Sequence, residues 1–244
     1  MKAIPIVPIR QWSASKLKTF SQCKLKAQLQ YGQKIPEPER ELPKGKLEHA
    51  NIRGTRIHLD AENFVQGIGG ITEELEKFRP ELESLEKLFA AGKVSLEQDW
   101  AFSEDWTPVE WKAPDAWLRA KLDAIAFLSD YEAVIVDYKS GAKYGNEVGH
   151  MQQMQIYQLI SFLRYPKLEH ITVELWYVDQ KDDAITQASF TRAQGMKFKH
   201  SIERQAHALT DCTVFPPSPN AFSCRWCFFS NRPGGTGHCE KGVW

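Results

Sequence analysis

Two stretches near the middle of the chain, RAKLDAIAF and VIVDYKSG, constrain the fold more strongly than any other part of the sequence. In the first stretch apolar and charged residues alternate, which is the pattern of a β-strand with one polar face, and Asp123 lies on that face. In the second stretch Asp137 and Lys139 are two positions apart, so both project from one face of a strand, about 6.5–7 Å apart along it. The short segment 129–132 allows the two strands to pair antiparallel, which would bring Asp123 close to Asp137.

This strand pair has a chemical interpretation and a structural one. Two carboxylates that converge on one point repel each other unless a cation lies between them, and oxygen ligands of this kind suit Mg²⁺ or Mn²⁺. A neighbouring lysine such as Lys139 can hold a water molecule or stabilise charge on a phosphate. An Asp-x-Lys sequence beside a turn is also typical of a surface ion pair. The strand pair therefore indicates a candidate metal site and leaves the ion pair as the alternative.

The remaining sequence predicts helices on both sides of a group of strands. Helices are expected over residues 13–31, 48–65, 73–91, 147–163 and 192–209, with Ser13 as the first N-cap. Strands are expected over residues 94–102, 108–111, 117–128, 133–138, 171–178 and 184–190. A Pro-rich loop is expected over 35–47, and an irregular tail from Pro216. This order of elements, in which helices are followed by a meander of strands, a crossover helix and further strands, predicts an α/β fold around a central mixed β-sheet.

The charge of the chain is balanced overall but unevenly placed. With 31 basic and 31 acidic residues the net charge is zero, which argues against a protein that coats polyanions non-specifically. Residues 10–56 hold eleven Lys and Arg against four Glu, a net charge of +7, whereas residues 60–105 have a net charge of −8. The basic segment is compatible with a phosphate-binding face, and two solvated helix faces would have the same composition.

The length and composition predict a globular protein that does not span a membrane. The 244 residues are expected to form one domain, with a helical part over 1–92, an α/β core over 93–210 and a cysteine-bearing tail over 211–244. No apolar stretch approaches the ~20 residues of a bilayer span, and the N-terminus does not resemble a signal peptide. We therefore expect a cytoplasmic protein, or a viral protein in the host cytoplasm, in which the five cysteines remain reduced.

Six short motifs occur in a fixed order along the chain. They are the first helical stretch SASKLKTFSQCKLKAQLQY with Cys23, GTRIH with His58, LRAKLDAI with Asp123, VDYKSG with Asp137 and Lys139, QMQIY with Gln153 and Tyr157, and SCRWC with Cys224 and Cys227 followed by Cys239. In this order they resemble the RecB-like branch of the PD-(D/E)XK nuclease superfamily, in the iron–sulfur form of AddB and the CRISPR-adaptation nucleases. The sequence differs from that pattern at Ala120, where the family has glycine, and in the long interval between Cys227 and Cys239.

The resemblance implies a restriction-endonuclease-like core and a Mg²⁺- or Mn²⁺-dependent DNA exonuclease acting in recombination, repair, replication or CRISPR-type processing. It implies His58, Asp123, Asp137 and the main-chain carbonyl of Tyr138 as metal ligands, and Lys139 as the residue that positions the attacking water. It implies that Gln153 and Tyr157 orient the lysine or contact DNA. The expected substrate is DNA that is single-stranded or has free ends, and a helicase or recombination protein is a possible partner.

Each of these assignments has an alternative. His58 could pair with Glu62 on a helix surface, and Gln153 and Tyr157, four residues apart, could belong to a packing face. The whole protein could be a catalytically degenerate, nucleic-acid-binding subunit of a repair complex. A redox role for the Cys-x-x-Cys sequence is disfavoured because no βαβ pattern surrounds it.

The cysteines form the last group of candidate residues. Cys224 and Cys227 present two thiolates on one turn, a spacing that suits either zinc or an iron–sulfur cluster. The resemblance implies a [4Fe–4S] cluster held by Cys23, Cys224, Cys227 and Cys239, with structural Zn²⁺ bound by three cysteines and His238 as the alternative. Cys212 matches no motif and is expected to be a buried apolar residue. Trp226, Phe228 and Phe229 could stack on unpaired bases or pack around the metal.

Overall fold

The computed structural model describes residues 6–38, 41–42, 45–141 and 143–243. Part of the predicted Pro-rich loop, residues 39–40 and 43–44, lies outside the described residues. The chain divides into two compact units, one formed by Leu42–Lys199 and the other by Met1–Glu41 together with His200–Trp244. The division of a single domain into three consecutive parts stays a prediction.

A six-stranded mixed sheet is the centre of the Leu42–Lys199 unit. Its strands are β1 (Val94–Phe102), β2 (Pro108–Val109), β3 (Leu118–Phe127), β4 (Glu132–Lys139), β5 (His170–Tyr177) and β6 (Ile185–Thr191). They lie in the order β2-β1-β3-β4-β5-β6, and only β4 and β5 run parallel to each other. The predicted α/β fold around a mixed sheet is confirmed, and each predicted strand lies within two residues of its expected ends.

The described helices fall into both units. They are α1 (Ala14–Gln22), α2 (Lys24–Ala27), α3 (Ala50–Val65), α4 (Arg79–Ala90), α5 (Glu147–Arg164), α6 (Arg192–Met196), α7 (Lys199–Thr210) and α8 (Ala221–Cys224). In addition, a π-helix covers Gln28–Gly32 and a 3₁₀-helix covers Glu76–Phe78. No helix within the described ranges is both long enough and apolar enough to cross a membrane.

Helices α3 and α4 cover one face of the sheet. Their buried side chains, such as Ile57 and Leu82, belong to one apolar cluster with Val136 of β4 and Trp176 of β5. Because side chains alternate along a strand, Asp137 lies on the other face of β4, where Gln153 of α5 bonds to it. The crossover helix α5 therefore lies on the face of the sheet to which the predicted site residues of β4 point.

Strands β3 and β4 separate at the positions of the two aspartates. Their described pairs run from Phe127↔Ala133 to Ala124↔Val136 and then end, although β4 continues beside β5 as far as Lys139↔Tyr177. Beyond this point the backbone N–H of Tyr138 donates to a carboxylate oxygen of Asp123 instead of to a main-chain carbonyl, at 2.8 Å. The side chain of Asp123 thus takes the place of a backbone partner where the sheet opens.

The second unit brings the N-terminal helices together with the C-terminal tail. The Ser13 side chain caps α1 as predicted, accepting a hydrogen bond from Lys16 N at 3.3 Å. Phe20 packs edge-on against Phe215 with ring centres 6.3 Å apart, and the N–H of Leu25 donates to Pro216 O. The start of the tail, at Phe215 and Pro216, is therefore in direct contact with the first helices of the chain.

Three predicted helices are shorter or broken in the structure. The helix expected over 13–31 is interrupted at Cys23, whose backbone is extended at φ −161°. The helix expected over 73–91 becomes α-helical only at Arg79, since the following Pro80 lacks an N–H and favours a first helical turn. The helix expected over 192–209 is divided into α6 and α7. Gly195 lets α6 approach α5 so closely that a Cβ atom at position 195 would lie 1.9 Å from Gln158 Oε1.

The expectation for Cys212 was wrong. Its side chain is only partly buried, and its thiol donates to Val214 O at 3.1 Å. It lies at the end of α7, where the chain leaves the helix and the apolar packing ends.

Candidate active site

The two predicted aspartates lie side by side where β3 and β4 separate. Asp123 and Asp137 are both buried and both line one cavity of about 490 Å³. Asp123 Oδ2 accepts the N–H of Tyr138, which leaves Oδ1 directed at His58. Buried carboxylates are costly unless they are paired or bind a cation, so this pair requires compensation by its surroundings.

Lys139 and Gln153 provide part of that compensation. Lys139 Nζ lies 2.5 Å from Asp137 Oδ2 in an ion pair and donates to Gln153 Oε1 at 2.7 Å. The Gln153 amide donates to Asp137 Oδ1 at 3.1 Å and to the hydroxyl of Tyr157 at 2.7 Å. Tyr157 in turn donates to the main-chain oxygen of Lys121 at 2.8 Å. The predicted motif residues of β4 and α5 therefore form one hydrogen-bonded chain anchored to β3.

His58 reaches this site from α3, on the other side of the sheet. Its Nδ1 lies 3.2 Å from Asp123 Oδ1, and its Nε2 bonds to the main-chain oxygen of Tyr138 at 3.0 Å. The two ring nitrogens thus face two different predicted ligands, Asp123 and the Tyr138 carbonyl. A single ion can take only one of those nitrogens, so in this ring orientation it can share His58 with only one of the two.

A close contact between α3 and the segment after β4 positions His58. Gly54, one turn before His58, packs against Ser140, and a Cβ atom at position 54 would lie 3.1 Å from the Ser140 hydroxyl oxygen. Arg53 donates to the main-chain oxygen of Ser140 at 3.1 Å and forms an ion pair with Asp179 at 2.7 Å. The glycine of the predicted GTRIH motif therefore allows the helix to lie directly on this segment.

Glu97 is a candidate ligand that the sequence analysis missed. Among the described residues, His58, Glu97 and Asp123 form the one group whose ligand atoms all lie within 4.8 Å of one another. Glu97 lies between the pairs Leu96↔Ala124 and Gln98↔Leu122, opposite Asp123 in register, and its φ is +45°. Residues with a left-handed backbone are uncommon unless they are glycine, and they occur preferentially at functional sites.

The cavity also contains His150 and Asn146, which no motif predicted. His150 precedes Gln153 by three residues and Tyr157 by seven, so all three share one face of α5. The His150 Nδ1 atom and the hydroxyl of Tyr177 are 2.6 Å apart. The sequence shows that His150 is three residues from Gln153, but a single histidine on a helix gives no indication that its side chain faces a site.

The electrostatics of the site follow from burial and from the proximity of like charges. Burial raises the pKa of Asp137 to about 6, with the Asp123 charge acting in the same direction and Lys139 opposing it. Burial also raises the pKa of Glu97, and Asp123 adds to this. Burial disfavours the charged ring of His58, but its bond to Asp123 and the nearby carboxylates outweigh this and raise its pKa to about 9. Protonated His58 is therefore the counter-charge to the acidic cluster.

The four predicted cluster cysteines meet in the other unit. Cys23, Cys224, Cys227 and Cys239 all line one small cavity of about 40 Å³. Burial raises the pKa of the Cys239 thiol, and the charges of the other three cysteines act in the same direction. His238, whose Nδ1 contacts the Thr236 hydroxyl, is not among the described residues that line this cavity.

The sequence matches the family profile of the PD-(D/E)XK nuclease superfamily over residues 11–232. The chain belongs to this superfamily. The sequence Asp137-Tyr138-Lys139 has the (D/E)XK form of the superfamily's name, and the predicted PD-(D/E)XK core with its mixed sheet and flanking helices is confirmed. Its narrower assignment to the RecB-like, iron–sulfur branch stays a prediction.

Solved structures that match the chain include SSO0001 and an alkaline exonuclease. SSO0001 has a TM-score of 0.47 and 14% identity, covering 96% of this chain and 88% of that one. The alkaline exonuclease LHK-Exo from Laribacter hongkongensis has a TM-score of 0.33 and 10% identity, covering 83% and 87%. Its complex with dAMP has a TM-score of 0.33 and 9% identity, covering 82% and 88%. No curated protein sequence matches the chain.

In this member of the superfamily, the raised pKa of His58 predicts a pH-dependent stability without added metal. Because the folded-state pKa of about 9 exceeds the unfolded value of 6.5, the stabilisation is complete below about pH 6.5 and is lost as the pH rises through 9. In chelator, the free energy of unfolding should fall by about 1–3 kcal/mol more in the wild type than in His58→Gln between pH 6 and 9.5. Urea unfolding at the two pH values measures this.

The matched control is His170→Gln, a change at an exposed histidine that begins β5. The free energy of unfolding of His170→Gln should change between the two pH values as much as that of the wild type. Equal losses of stability in the wild type and in His58→Gln would show that the folded protein does not hold His58 as a cation.

Proposed function

We propose that this protein is a metal-dependent DNA exonuclease that hydrolyses phosphodiester bonds in DNA with single-stranded regions or free ends. The observation that carries the proposal is that Asp123, Asp137 and Lys139 all line one cavity of a protein that belongs to a superfamily of nucleases. The exonuclease mode, and a role in recombination, repair, replication or CRISPR-type processing, rest on the motif resemblance. A helicase or recombination partner would supply strand separation.

The ligands that we propose for one or two divalent ions are Glu97, Asp123, Asp137 and the main-chain carbonyl of Tyr138, together with His58. The imidazole would bind an ion beside either Asp123, through Nδ1, or the Tyr138 carbonyl, through Nε2. Oxygen atoms and one imidazole nitrogen are a suitable donor set for Mg²⁺ or Mn²⁺. The cavity fits such an ion because three of its lining side chains are carboxylates, Glu97, Asp123 and Asp137, and because burial and the Asp123 charge both raise the pKa of Asp137. When bound, the ion would polarise the scissile phosphate and lower the pKa of a water molecule.

The protein's own residues have separate roles in this proposal. Lys139 would hold the attacking water and stabilise the negative charge that develops on the phosphate. Gln153 would orient Lys139, because its amide oxygen accepts from the ammonium while its amide nitrogen is held by Asp137. Tyr157 would fix Gln153 through their 2.7 Å hydrogen bond. Water would attack phosphorus in line with the leaving sugar oxygen, and the P–O bond to that oxygen would break.

The first test concerns the catalytic groups. Asp137→Asn removes a charge from the proposed cation site, and Lys139→Ala removes the group that positions the water. Each should lower cleavage of end-labelled DNA in Mg²⁺ or Mn²⁺ by at least about 100-fold, as expected for loss of a catalytic electrostatic group.

Asp130→Asn is the control for this test, because Asp130 is 71% exposed and pairs only loosely with Lys167, at 3.4 Å. Near-normal cleavage by folded Asp137→Asn protein would refute the site. A wild-type protein that binds DNA but cleaves none with either metal would favour the degenerate, nucleic-acid-binding alternative.

A second test concerns Glu97 as a ligand. Glu97→Gln keeps the size of the side chain but removes its charge and should weaken Mn²⁺ binding by at least about tenfold. Titration calorimetry on protein without DNA measures this separately from catalysis. The matched control is Asp99→Asn, which neutralises an acid two positions along the same strand that pairs with Lys121 at 2.9 Å. An unchanged Mn²⁺ affinity in Glu97→Gln would remove Glu97 from the ligand set.

We further propose that Cys23, Cys224, Cys227 and Cys239 hold a [4Fe–4S] cluster with a structural role. Four thiolates lining one cavity are a suitable donor set, whereas zinc with three cysteines and His238 would need His238 to turn towards that cavity. A metal here would link the first helices to the tail, which has few buried apolar residues after Phe215.

The cluster proposal predicts a coloured protein. Anaerobically purified protein should be brown, and Cys227→Ala should remove the colour and make the tail sensitive to protease, because the tail loses its metal crosslink. Cys212→Ala, at a cysteine outside the cavity, should do neither. Colourless wild-type protein that contains one equivalent of zinc would replace the cluster with a structural zinc site.

A further inference from the structure

Three planar side chains form an exposed strip at α8 and the turn after it. Phe222 and Trp226 are 76% and 65% exposed, and the side chain of Arg225 lies between them. The Arg225 guanidinium is 5.5 Å from the Phe222 ring centre and 5.4 Å from the Trp226 ring. The spacing i, i+3, i+4 places all three side chains on one side of the helical segment. We call Phe222, Arg225 and Trp226 the aromatic strip.

The same segment buries its other aromatic residues. Phe229 is fully buried, and Phe228 is partly covered, with the ammonium of Lys26 5.8 Å from its ring. Full burial of a large apolar side chain stabilises a protein, and this stabilisation is largely absent at Phe222 and Trp226. Two adjacent, exposed aromatic rings beside an arginine are typical of a binding surface.

The backbone that carries the strip is held by hydrogen bonds. The Asn220 side chain caps α8 by accepting the N–H of Ser223 at 2.8 Å, and the N–H of Cys224 donates to Asn220 O at 2.9 Å. Cys224 and Cys227 line the cysteine cavity from within the same segment. The strip is therefore mounted on a capped turn beside a proposed metal site, so that little order would have to be gained on binding.

The charge of this unit identifies the kind of ligand. Residues 1–41 and 200–244 contain twelve Lys and Arg against six Asp and Glu, a net charge of +6. Because the whole chain is neutral, residues 42–199 have a net charge of −6. A basic unit attracts an anionic ligand, and exposed flat rings select one with accessible aromatic faces. Single-stranded nucleic acid has both properties, whereas the bases of a duplex are stacked on each other.

We propose that the aromatic strip binds single-stranded DNA, with Phe222 and Trp226 stacking on its bases and Arg225 contacting base and phosphate. Stacking on aromatic side chains tolerates any sequence because every base has a π-face. The strip would therefore retain the strand without selecting its sequence. The choice of DNA over RNA rests on the proposed function; the stacking itself does not.

The test measures binding without cleavage. The anisotropy of a fluorescein-labelled oligo-dT is followed against full-length protein in chelator. Phe222→Ala and Trp226→Ala should each weaken binding by about 5- to 150-fold, the range for loss of one base stack. Tyr131→Ala is the control, because Tyr131 is also an exposed aromatic, at 59%, but lies in the turn between β3 and β4. It should leave the affinity unchanged.

Two further measurements separate stacking from charge. Arg225→Lys keeps the charge but loses the flat guanidinium, so its binding should weaken while the salt dependence stays that of the wild type. An abasic oligomer of the same length should bind the wild type more weakly than oligo-dT does. The Trp226→Ala protein should bind this abasic oligomer with the same affinity as the wild type, because there is no base on which the ring could stack. An equal affinity of the wild type for both oligomers would exclude base stacking.

The outcomes also separate this inference from the proposed nuclease activity. A Phe222→Ala/Trp226→Ala protein with an unchanged melting temperature and wild-type affinity for oligo-dT would overturn the inference. A change of its oligomeric state at unchanged affinity would do the same and would identify a second copy of the chain as the occupant. Strip-dependent binding by a wild-type protein that cleaves nothing would refute the nuclease and leave the strip as a DNA-binding site.

Discussion

The hydrogen bond from the Tyr138 N–H to the Asp123 carboxylate is the contact on which the candidate site depends. It replaces a backbone partner where β3 and β4 stop pairing, so the sheet can open without leaving a buried N–H unsatisfied. It also fixes one oxygen of Asp123 and leaves the other to face His58. The same bond therefore creates the cavity and orients one of its carboxylates.

The chain from Tyr157 through Gln153 to Lys139 and Asp137 stabilises the opposite wall of this opening. Gln153 is suited to its place because an amide can accept from an ammonium and donate to a carboxylate at once. A charged residue there would match only one of these neighbours. With protonated His58 on the other side, the buried acids are balanced by two cationic side chains, and a divalent ion that binds would take over part of that role.

The sequence predicted the six strands, the polar strand face on which Asp123 lies, and the position of Asp137 and Lys139 at the end of β4. Period-two alternation and the short turn between β3 and β4 are local signals, and the presence of Asp123 and Asp137 in one cavity followed from them. Glu97 could not be found in this way, because residues 103–117 between β1 and β3 leave the register of those strands undetermined. The interruption at Cys23 was likewise hidden, since helix propensity does not report contacts with the distant tail.

The contact of Gly54 with Ser140 has a consequence for substitutions at position 54. One missing methyl group allows α3 to rest on the chain just after β4, and His58 follows one helical turn later. A Cβ atom at position 54 would lie 3.1 Å from the Ser140 hydroxyl oxygen, so Ser140 or the helix would have to give way slightly, although no atom of residue 54 enters the cavity. A substitution at this one position would therefore press on the contact that positions a proposed ligand without touching that ligand.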